Sequence, residues 1–366
     1  MLHNRRKSVK SREIQPVSRK FKSVLITGGC GFIGSNFVRH FYHAHPDYFI
    51  VNLDLLSYCG NPENLLDIER LESMDHRQKR YVFVHGDICN VPFMESLFKE
   101  YHFDLVIHFA AESHVDRSIF SDVDFVRTNI EGTRALIEAA RRYQLPRFIH
   151  ISTDEVYGSI AKGHAKEEAP LQPSNPYAAS KAGVDLLIQA YMKTHAFPAI
   201  IVRGSNNYGP YQYPEKLIPL AITNLIEGKK VPIHGNGHHV RSWLHVNDFC
   251  RAIDLAAHEA PNFSIYNVAG EEKTNLEVLK LLAKHLKVNL ANRKMYINDR
   301  PGADERYAPD GGKIKKKLKF GHIHSFERCI GKVVRWYLDN PEWWRNIRLK
   351  KGFVDHYERQ SKGLWC

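Results

Sequence analysis

The sequence lacks the features that mark disulfide-bonded, zinc-bound, secreted or membrane-spanning proteins. Among its 366 residues no two cysteines form a C-x-x-C pair, so we expect no metal site and reduced thiols. The six cysteines are Cys30, Cys59, Cys89, Cys250, Cys329 and Cys366. No uninterrupted apolar run approaches the roughly 20 residues that a membrane helix needs, and residues 1–20 contain no block typical of a signal peptide. The sequence therefore predicts a cytoplasmic protein without a membrane partner.

Negative charge is scarce at the start of the chain. The formal net charge is +12, and residues 1–22 hold eight Lys or Arg against one Glu, a net charge of +7. We predict that residues 1–21 form a basic, mobile extension, with mitochondrial targeting and anion binding as open alternatives. Because the excess lies in this extension and no aromatic-basic motif accompanies it, we expect no nucleic-acid partner.

Short apolar runs alternate with longer amphipathic stretches from Lys22 onward, a pattern typical of parallel strands joined by helices. The predicted strands are 23–27, 49–54, 81–85, 105–109, 148–152 and 199–202. The spacing of alanine and leucine predicts a helix over 131–143. The sequence thus predicts an α/β protein with a doubly wound parallel sheet and a smaller α/β domain. The predicted divisions are 22–204 for the sheet domain, mainly 205–345 for the smaller domain, 240–262 returning to the first domain, and 346–366 as a basic, aromatic tail.

A glycine-rich turn follows the first predicted strand. Gly28 permits the tight turn, Gly31 allows a pyrophosphate to approach the backbone, and Gly34 allows close helix packing. Asp54 ends the second predicted strand, where a carboxylate accepts hydrogen bonds from a ribose 2′-hydroxyl and repels a 2′-phosphate. Such glycines also occur by chance, but the strand-turn-helix context favours a dinucleotide, NAD rather than NADP.

Two further elements carry acid–base chemistry. Tyr177 and Lys181 share one face of a predicted helix, where we expect the ammonium to lower the pKa of the phenol and make it a base. Thr153, Asp154 and Glu155 follow the fifth predicted strand, at the sheet edge where open α/β folds bind ligands. Taken alone, the Tyr-Lys pair could be part of an ordinary helix surface and the acid pair part of a solvated turn. The presence of both together with the glycine loop favours a catalytic site.

Several segments resemble those of the nucleoside-diphosphate-glucose 4,6-dehydratases, which are extended short-chain dehydrogenases/reductases with a Rossmann-type fold. The similar segments are 27–34, 108–118, 152–158, 177–181, 205–210, 214–219, 241–245 and 298–302. The similarity spans roughly residues 22–344. The resemblance implies NAD as cofactor, a nucleoside-diphosphate-glucose as substrate, dTDP-glucose first, and a homodimer through residues 122–143 and 177–194.

The resemblance also implies a three-step reaction. Tyr177, assisted by Thr153 and Lys181, takes the proton of the 4-hydroxyl while hydride leaves carbon 4 for NAD. Glu155 then removes the proton on carbon 5, Asp154 protonates the departing 6-hydroxyl, and hydride returns to carbon 6. The product is the 4-keto-6-deoxyglucose nucleotide.

The resemblance further assigns binding residues. The cofactor set is Gly28, Gly31, Phe32, Ile33, Gly34, Asp54, Leu55, Leu56, Ser57, Asp87, Ile88, Ala110, Ala111, Glu112, Ser113, Thr128, Tyr177, Lys181 and Asn207. The substrate set is His114, Thr153, Asn206, Lys216, Leu217, Pro232, Ile233, His234, Arg241, Asn267, Asp299, Arg300, Pro301, Gly302 and Ala303. Cys30 stands where relatives often have alanine and Ala303 where bacterial relatives often have histidine, so a contact at residue 303 is in doubt.

Three alternatives remain open at this point. UDP-glucose differs from dTDP-glucose by a methyl and a hydroxyl, a difference that sequence inspection does not resolve. An epimerase or another dehydratase of the same superfamily would share the glycine loop and the Tyr-Lys pair, although epimerases usually have small hydroxyl residues in place of the acid pair. A non-catalytic NAD-binding regulator would have lost at least one catalytic group, and none is missing here.

Overall fold

A computed structural model describes residues 22–74 and 79–365. The predicted basic extension and Cys366 lie outside the described residues. Within the described ranges the other five cysteines are free thiols. No helix among the described residues is both long and apolar enough to cross a membrane.

A seven-stranded parallel sheet forms the centre of the molecule. Its strands run in the order β10-β6-β5-β4-β1-β2-β3. They are β1 Lys22–Thr27, β2 Tyr48–Asp54, β3 Tyr81–His85, β4 Leu105–His108, β5 Phe148–Thr153, β6 Ala199–Gly204 and β10 Ser264–Val268. The six predicted strands and the doubly wound parallel sheet are confirmed, whereas the seventh strand was missed.

Helices cover both faces of this sheet. The first group is α1 Phe32–Ala44, α2 Leu66–Met74, α3 Val91–Tyr101, α4 Val115–Phe120, α5 Val123–Phe125, α6 Thr133–Arg142 and α7 Pro176–His195. The predicted helix over 131–143 is shorter than expected, because a π-helix, Val126–Gly132, precedes α6. Two hydrophobic cores lie on opposite faces, one around Phe37 and Phe249 and the other around Leu136 and Phe148.

A smaller layer lies against the carboxyl edge of the sheet. Its strands are β7 Asn206–Tyr208, β8 Val231–His234, β9 Val240–His245, β11 Glu271–Thr274 and β12 Lys294–Ile297. The helices that follow β6 are α8 Leu217–Ile226, α9 Val246–Glu259, α10 Asn275–Leu286, α11 Gly312–Leu318, α12 Phe326–Asp339, α13 Pro341–Arg348 and α14 Lys351–Lys362. Helix α9 packs against α1 on the central sheet, and β9, directly before it, belongs to the smaller layer. The domain boundaries themselves stay predictions.

Strand register brings the functional segments to one edge. Thr27 lies level with Leu53 and His108 on the neighbouring strands. The residues after β1, β2, β4 and β5 therefore meet where the parallel strands end.

Candidate active site

The turn after β1 has a shape that only glycine allows. Gly28 has φ +71°, and its N–H donates to the carbonyl of Leu53 at 2.8 Å. A Cβ on Gly34 would lie 2.1 Å from the Gly28 carbonyl oxygen, so a side chain there would push α1 away from the turn. Gly31 is the N-cap of α1 and carries no side chain over the first helical N–H groups. Those groups can therefore bind an anion.

Asp54 ties this turn to the end of β2. Its Oδ2 accepts from the Cys30 N–H at 2.9 Å, and its Oδ1 accepts from the Leu56 N–H at 2.8 Å. Burial raises the pKa of the carboxyl group, against the effect of these two backbone hydrogen bonds. Because Cys30 contributes its backbone N–H to the turn, a cysteine here does not change the turn's hydrogen bonding.

One cavity collects the predicted cofactor-binding residues. All of them except Leu56 line it, from the glycine turn past Asp54 to Tyr177, Lys181 and Asn207. Leu56 instead has φ +55° and packs its side chain against the core, while its backbone holds Asp54. Sequence reasoning missed several lining residues for which no motif gave a signal, among them Tyr58, Cys59, Gln212 and Tyr213.

Helix α7 places Tyr177 and Lys181 at the inner end of this cavity. Asn175 caps the helix by accepting from the Ala178 N–H at 2.9 Å, so Tyr177 lies in the first turn. The Nζ of Lys181 donates to the Ile151 carbonyl at 2.6 Å and lies 3.5 Å from Nε2 of His150. Burial lowers the pKa of Lys181 to about 8.

The expected lowering of the Tyr177 pKa is not found. Burial and the nearby Glu155 carboxyl raise the pKa of Tyr177 above 10, and the Thr153 side chain only partly offsets them. The reason is geometric, because the Lys181 ammonium is directed at the Ile151 carbonyl and is itself desolvated. The expectation was therefore wrong for the protein without its ligands.

The acid pair lies where β5 passes into a 3₁₀ turn, Asp154–Tyr157. Thr153 caps this turn by accepting from the Glu155 N–H at 3.2 Å. Asp154 is 2% exposed, and its pKa is raised well above the ordinary value by burial and then by Glu155. Burial also raises the pKa of Glu155, but Arg300, Arg241 and Lys216 oppose that effect. The three cations thus favour the charged form of Glu155, whereas Glu155 adds to the effect of burial on the pKa of Asp154 and Arg241 opposes it.

A second cavity adjoins the first and shares Glu155, Asn206 and Lys216 with it. The predicted substrate residues that line it are His114, Asn206, Lys216, Leu217, Pro232, His234, Arg241, Asp299, Arg300 and Ala303. Thr153 lines the first cavity instead, and Asp154 lies behind the Thr153–Glu155 wall without lining either.

Four predicted substrate residues are not brought to this cavity. Asn267 is fully buried, and its amide accepts from the Tyr157 hydroxyl at 2.8 Å and donates to the Ala165 carbonyl at 2.9 Å. Ile233 belongs to the core of the smaller layer. Pro301 and Gly302 form an exposed turn.

Sequence reasoning also missed polar groups beside the acid pair. The Tyr307 hydroxyl lies 3.3 Å from Glu155 and donates to Asp304 at 2.8 Å. Glu215 lines both cavities and accepts from Arg117 through Nε and Nη2 at 3.2 and 3.1 Å. Asp304 directly follows the predicted residues 299–303, and Glu215 lies in the similar segment 214–219 next to Lys216, so the signal for both was adjacent to residues that were predicted.

Comparison with known proteins identifies the family. A family model described as GDP-mannose 4,6 dehydratase matches residues 25–333. The chain belongs to this dehydratase family. It is 45% identical to a dTDP-glucose 4,6-dehydratase of Streptomyces niveus over 89% of this chain and 95% of that protein.

Solved structures place the chain nearer to dehydratases than to epimerases of the same fold. DesIV, a dTDP-glucose 4,6-dehydratase from Streptomyces venezuelae crystallised with NAD, has a TM-score of 0.84 and 43% identity, covering 89% of this chain and 99% of that one. A UDP-glucose 4-epimerase from Thermus thermophilus in complex with NAD has a TM-score of 0.78 and 28% identity, covering 87% and 99%. The fold is shared by both, so the residues of the site separate the two activities.

Proposed function

We propose that this member of the dehydratase family converts dTDP-glucose to its 4-keto-6-deoxy derivative in an NAD-dependent 4,6-dehydration. The observation that carries the proposal is the acid pair beside Tyr177: Glu155 lines both cavities where they meet, and Asp154 is buried next to it. Oxidation, elimination and reduction on one sugar require a base and an acid that hold different protonation states at the same pH. Three cations oppose the rise in the pKa of Glu155, whereas Glu155 adds to the rise that burial causes in the pKa of Asp154. These influences favour Glu155 as the base and Asp154 as the acid.

The first cavity fits NAD. The glycine turn leaves the N-terminus of α1 open for a pyrophosphate, and Asp54 provides a buried carboxyl group at the end of β2 for a ribose. NAD, when bound, supplies a positively charged ring that accepts a hydride from carbon 4 and returns it to carbon 6. Asp87, Ala110 and Thr128 lie along the same cavity.

The chain's own residues move the protons. We assign Tyr177 Oη as the acceptor of the 4-hydroxyl proton in the complex with NAD, whose positively charged ring would favour the phenolate form that burial and Glu155 otherwise oppose. Thr153 and Lys181 line the same cavity. Glu155, whose carboxyl group faces Arg300, Arg241 and Lys216, removes the proton on carbon 5. Asp154, held protonated by burial, supplies the proton that leaves with the 6-hydroxyl as water.

The second cavity supplies the charge that a nucleoside diphosphate needs. Arg300, Arg241 and Lys216 all line it. Arg241 is 5% exposed and donates to the carbonyls of Val240 and Asp304 at 2.8 and 2.9 Å, so its position is fixed before any substrate enters. We assign the diphosphate to these three cations.

The purified protein should be incubated separately with dTDP-glucose and UDP-glucose, without added NAD, and the products followed by mass spectrometry. We expect loss of one water from dTDP-glucose at the higher rate, with cofactor carried through purification. A higher rate with UDP-glucose would transfer the activity to that substrate. No change in either sugar nucleotide, even with NAD added, would refute the proposal.

We further propose that the protein is a cytoplasmic homodimer. The two helical segments predicted to pair, 122–143 and 177–194, carry apolar side chains that are largely exposed in the single chain. Val123, Val126 and Leu186 are 67%, 44% and 57% exposed. Covering them with the same surface of a second copy would remove this apolar area from water.

A further inference from the structure

The last helix of the described chain, α14, runs along the substrate cavity. It lies beyond residue 333, where the family match ends, and the sequence predicted only a basic, aromatic tail here. Its buried side chains are Phe353, His356 and Gln360, which recur at intervals of three and four residues and so share one face. This face is turned toward the site.

Residues that line each of the two cavities pack against this face of α14. Phe353 packs with Tyr213, which lines the cofactor cavity, and the Gly352 carbonyl accepts from Arg117 Nη2 at 3.2 Å. The ring of His356 meets that of His114 edge-on, at 4.7 Å between centroids. Helix α14 is therefore packed against residues that line the site.

Gln360 reaches the cavity itself. It is one of the lining residues and is 5% exposed. Its Nε2 donates to Oδ2 of Asp116 at 2.8 Å, and the other oxygen of Asp116 accepts from Arg300 Nη1 at 2.7 Å. Burial opposes ionisation of Asp116, but Arg300 prevails and holds its pKa well below the ordinary value.

This arrangement fixes the orientation of the Gln360 amide. An ionised carboxylate only accepts hydrogen bonds, so the amide must turn its NH₂ group to Asp116 and its oxygen away from it. That oxygen, Oε1, is buried and has no hydrogen-bond partner among the described residues. A buried acceptor without a donor costs free energy, which a ligand's donor would offset.

The surroundings indicate which donor fits. Both ring nitrogens of His114 and the Oε1 of Glu215 are also buried without hydrogen-bond partners in the described ranges. Nε2 of His114 lies 3.7 Å from that oxygen, beyond hydrogen-bond distance, and both residues line the same cavity. Arg117 and Lys216 flank Glu215, so a metal ion is a poor occupant for this cluster. Several acceptors without hydrogen bonds, and an imidazole whose pKa is lowered by burial, line the cavity that Glu155 also lines, and this set suits a unit rich in hydroxyl groups.

We propose that Gln360 is a substrate-binding residue whose Oε1 accepts a hydrogen bond from a hydroxyl of the glucosyl unit. The inference rests on the function proposed above and extends the sugar site to α14. Through Asp116 the same side chain also positions Arg300 beside the diphosphate.

The test replaces Gln360 with methionine, which keeps the length and removes the amide. We expect the KM for the sugar nucleotide to rise roughly tenfold, with kcat within about twofold of wild type. The reason is that the lost hydrogen bond would stabilise the bound substrate and the transition state equally. Glu358→Met, an exposed position on the same helix, is the matched control and should leave both constants unchanged. Gln360→Asn keeps an amide but shortens it, and should raise KM similarly if Gln360→Met proves too unstable to purify.

Substrate analogues lacking the 2- or the 3-hydroxyl of the glucosyl unit separate binding from positioning. The 4- and 6-hydroxyls react, so the contacted hydroxyl is the 2- or the 3-hydroxyl. The KM penalty of Gln360→Met should be smaller with the analogue that lacks the contacted hydroxyl than with the other, because only the effect through Asp116 and Arg300 remains. An equal penalty with both analogues and with the full substrate would show that Gln360 acts only through Asp116, and an unchanged KM would show that it does not contact substrate. Either result overturns the inference. Wild-type turnover in the same assay reports on the proposed function separately.

Discussion

At the scale of single residues, the central feature is that two adjacent carboxyl groups have unlike neighbours. Glu155 faces three cations, whereas Asp154 lies behind it with Glu155 as its main charged neighbour after burial. Two carboxyl groups in one buried place do not ionise together, so the neighbours decide which keeps its proton. This difference supports the proposed roles of Glu155 as base and Asp154 as acid.

Isosteric substitutions separate these two roles. Glu155→Gln should abolish exchange of the carbon-5 hydrogen with solvent deuterium, because the base is gone. Asp154→Asn should retain that exchange while water loss falls by about 10² to 10⁴, the usual contribution of a general acid. Proton NMR in deuterium oxide, with mass spectrometry for water loss, measures both.

Glu342→Gln is a suitable control, because this exposed residue lies outside both cavities and outside the proposed dimer surface. It should leave exchange and water loss as in wild type. Retained exchange in Glu155→Gln would contradict the assignment of the base.

The sequence predicted which residues form this site better than it predicted their protonation. Spacing and position after a strand are local properties, so Tyr177, Lys181 and the acid pair were found. The pKa of Tyr177 was missed because it depends on burial and on the direction of the Lys181 ammonium, which only tertiary packing sets. Gln360 was missed because it lies 183 residues from Tyr177 and shares no motif with it.

At the scale of elements, one carboxylate joins α1 to α9. Asp254 on α9 accepts from His40 on α1 and from His45 just after it, each at 2.8 Å, and lies 2.9 Å from Nδ1 of His258. Burial opposes ionisation of Asp254, yet hydrogen bonds from His258 and His40 lower its pKa. The same hydrogen bond raises the pKa of His258. The rings of His45 and His258 stack at 4.4 Å, and a nitrogen of each approaches Oδ1 of Asp254.

This cluster predicts a pH-dependent stability. The raised pKa of His258 gives a contribution that is complete below its ordinary 6.5 and is lost as pH rises through the raised value. The lowered pKa of Asp254 gives a contribution present above 3.8 and lost as pH falls through the lowered value. Asp254→Asn should therefore reduce the free energy of unfolding most between these two values, by about 1 to 3 kcal/mol.

Urea unfolding at pH 5.5 and at pH 9 measures the effect. Asp339→Asn, which alters an exposed pair with Arg335 on α12, should cost little at either pH. An equal loss of stability at both pH values for Asp254→Asn would contradict the role of His258.

Elements were predictable where the chain repeats a local pattern. The first six strands recur at regular intervals between helices, and all six were found. Strand β10 was missed because Ser264–Val268 lies just past 240–262, the segment predicted to return to the sheet domain, within a region predicted mainly as the smaller domain. Its pairing with β6 is a long-range contact that no local sequence pattern predicts.

At the scale of the whole molecule, the exposed apolar side chains of α5, the π-helix and α7 mark the proposed dimer surface. Leu186→Asp would place a charge in that surface and should convert the dimer to a monomer in size-exclusion chromatography with light scattering. Leu349→Asp, at a position that is 79% exposed and outside this surface, should leave the dimer intact. A wild-type monomer, or a Leu186→Asp dimer, would contradict the proposal.

The account depends most on where one hydride goes. We would incubate the wild-type protein with dTDP-glucose deuterated at carbon 4 and locate the label in the product by NMR and mass spectrometry. The account predicts a product that has lost one water and carries the deuterium on carbon 6. Deuterium returned to carbon 4 of an epimerised sugar, or lost to solvent, would contradict a 4,6-dehydration with internal return of the hydride.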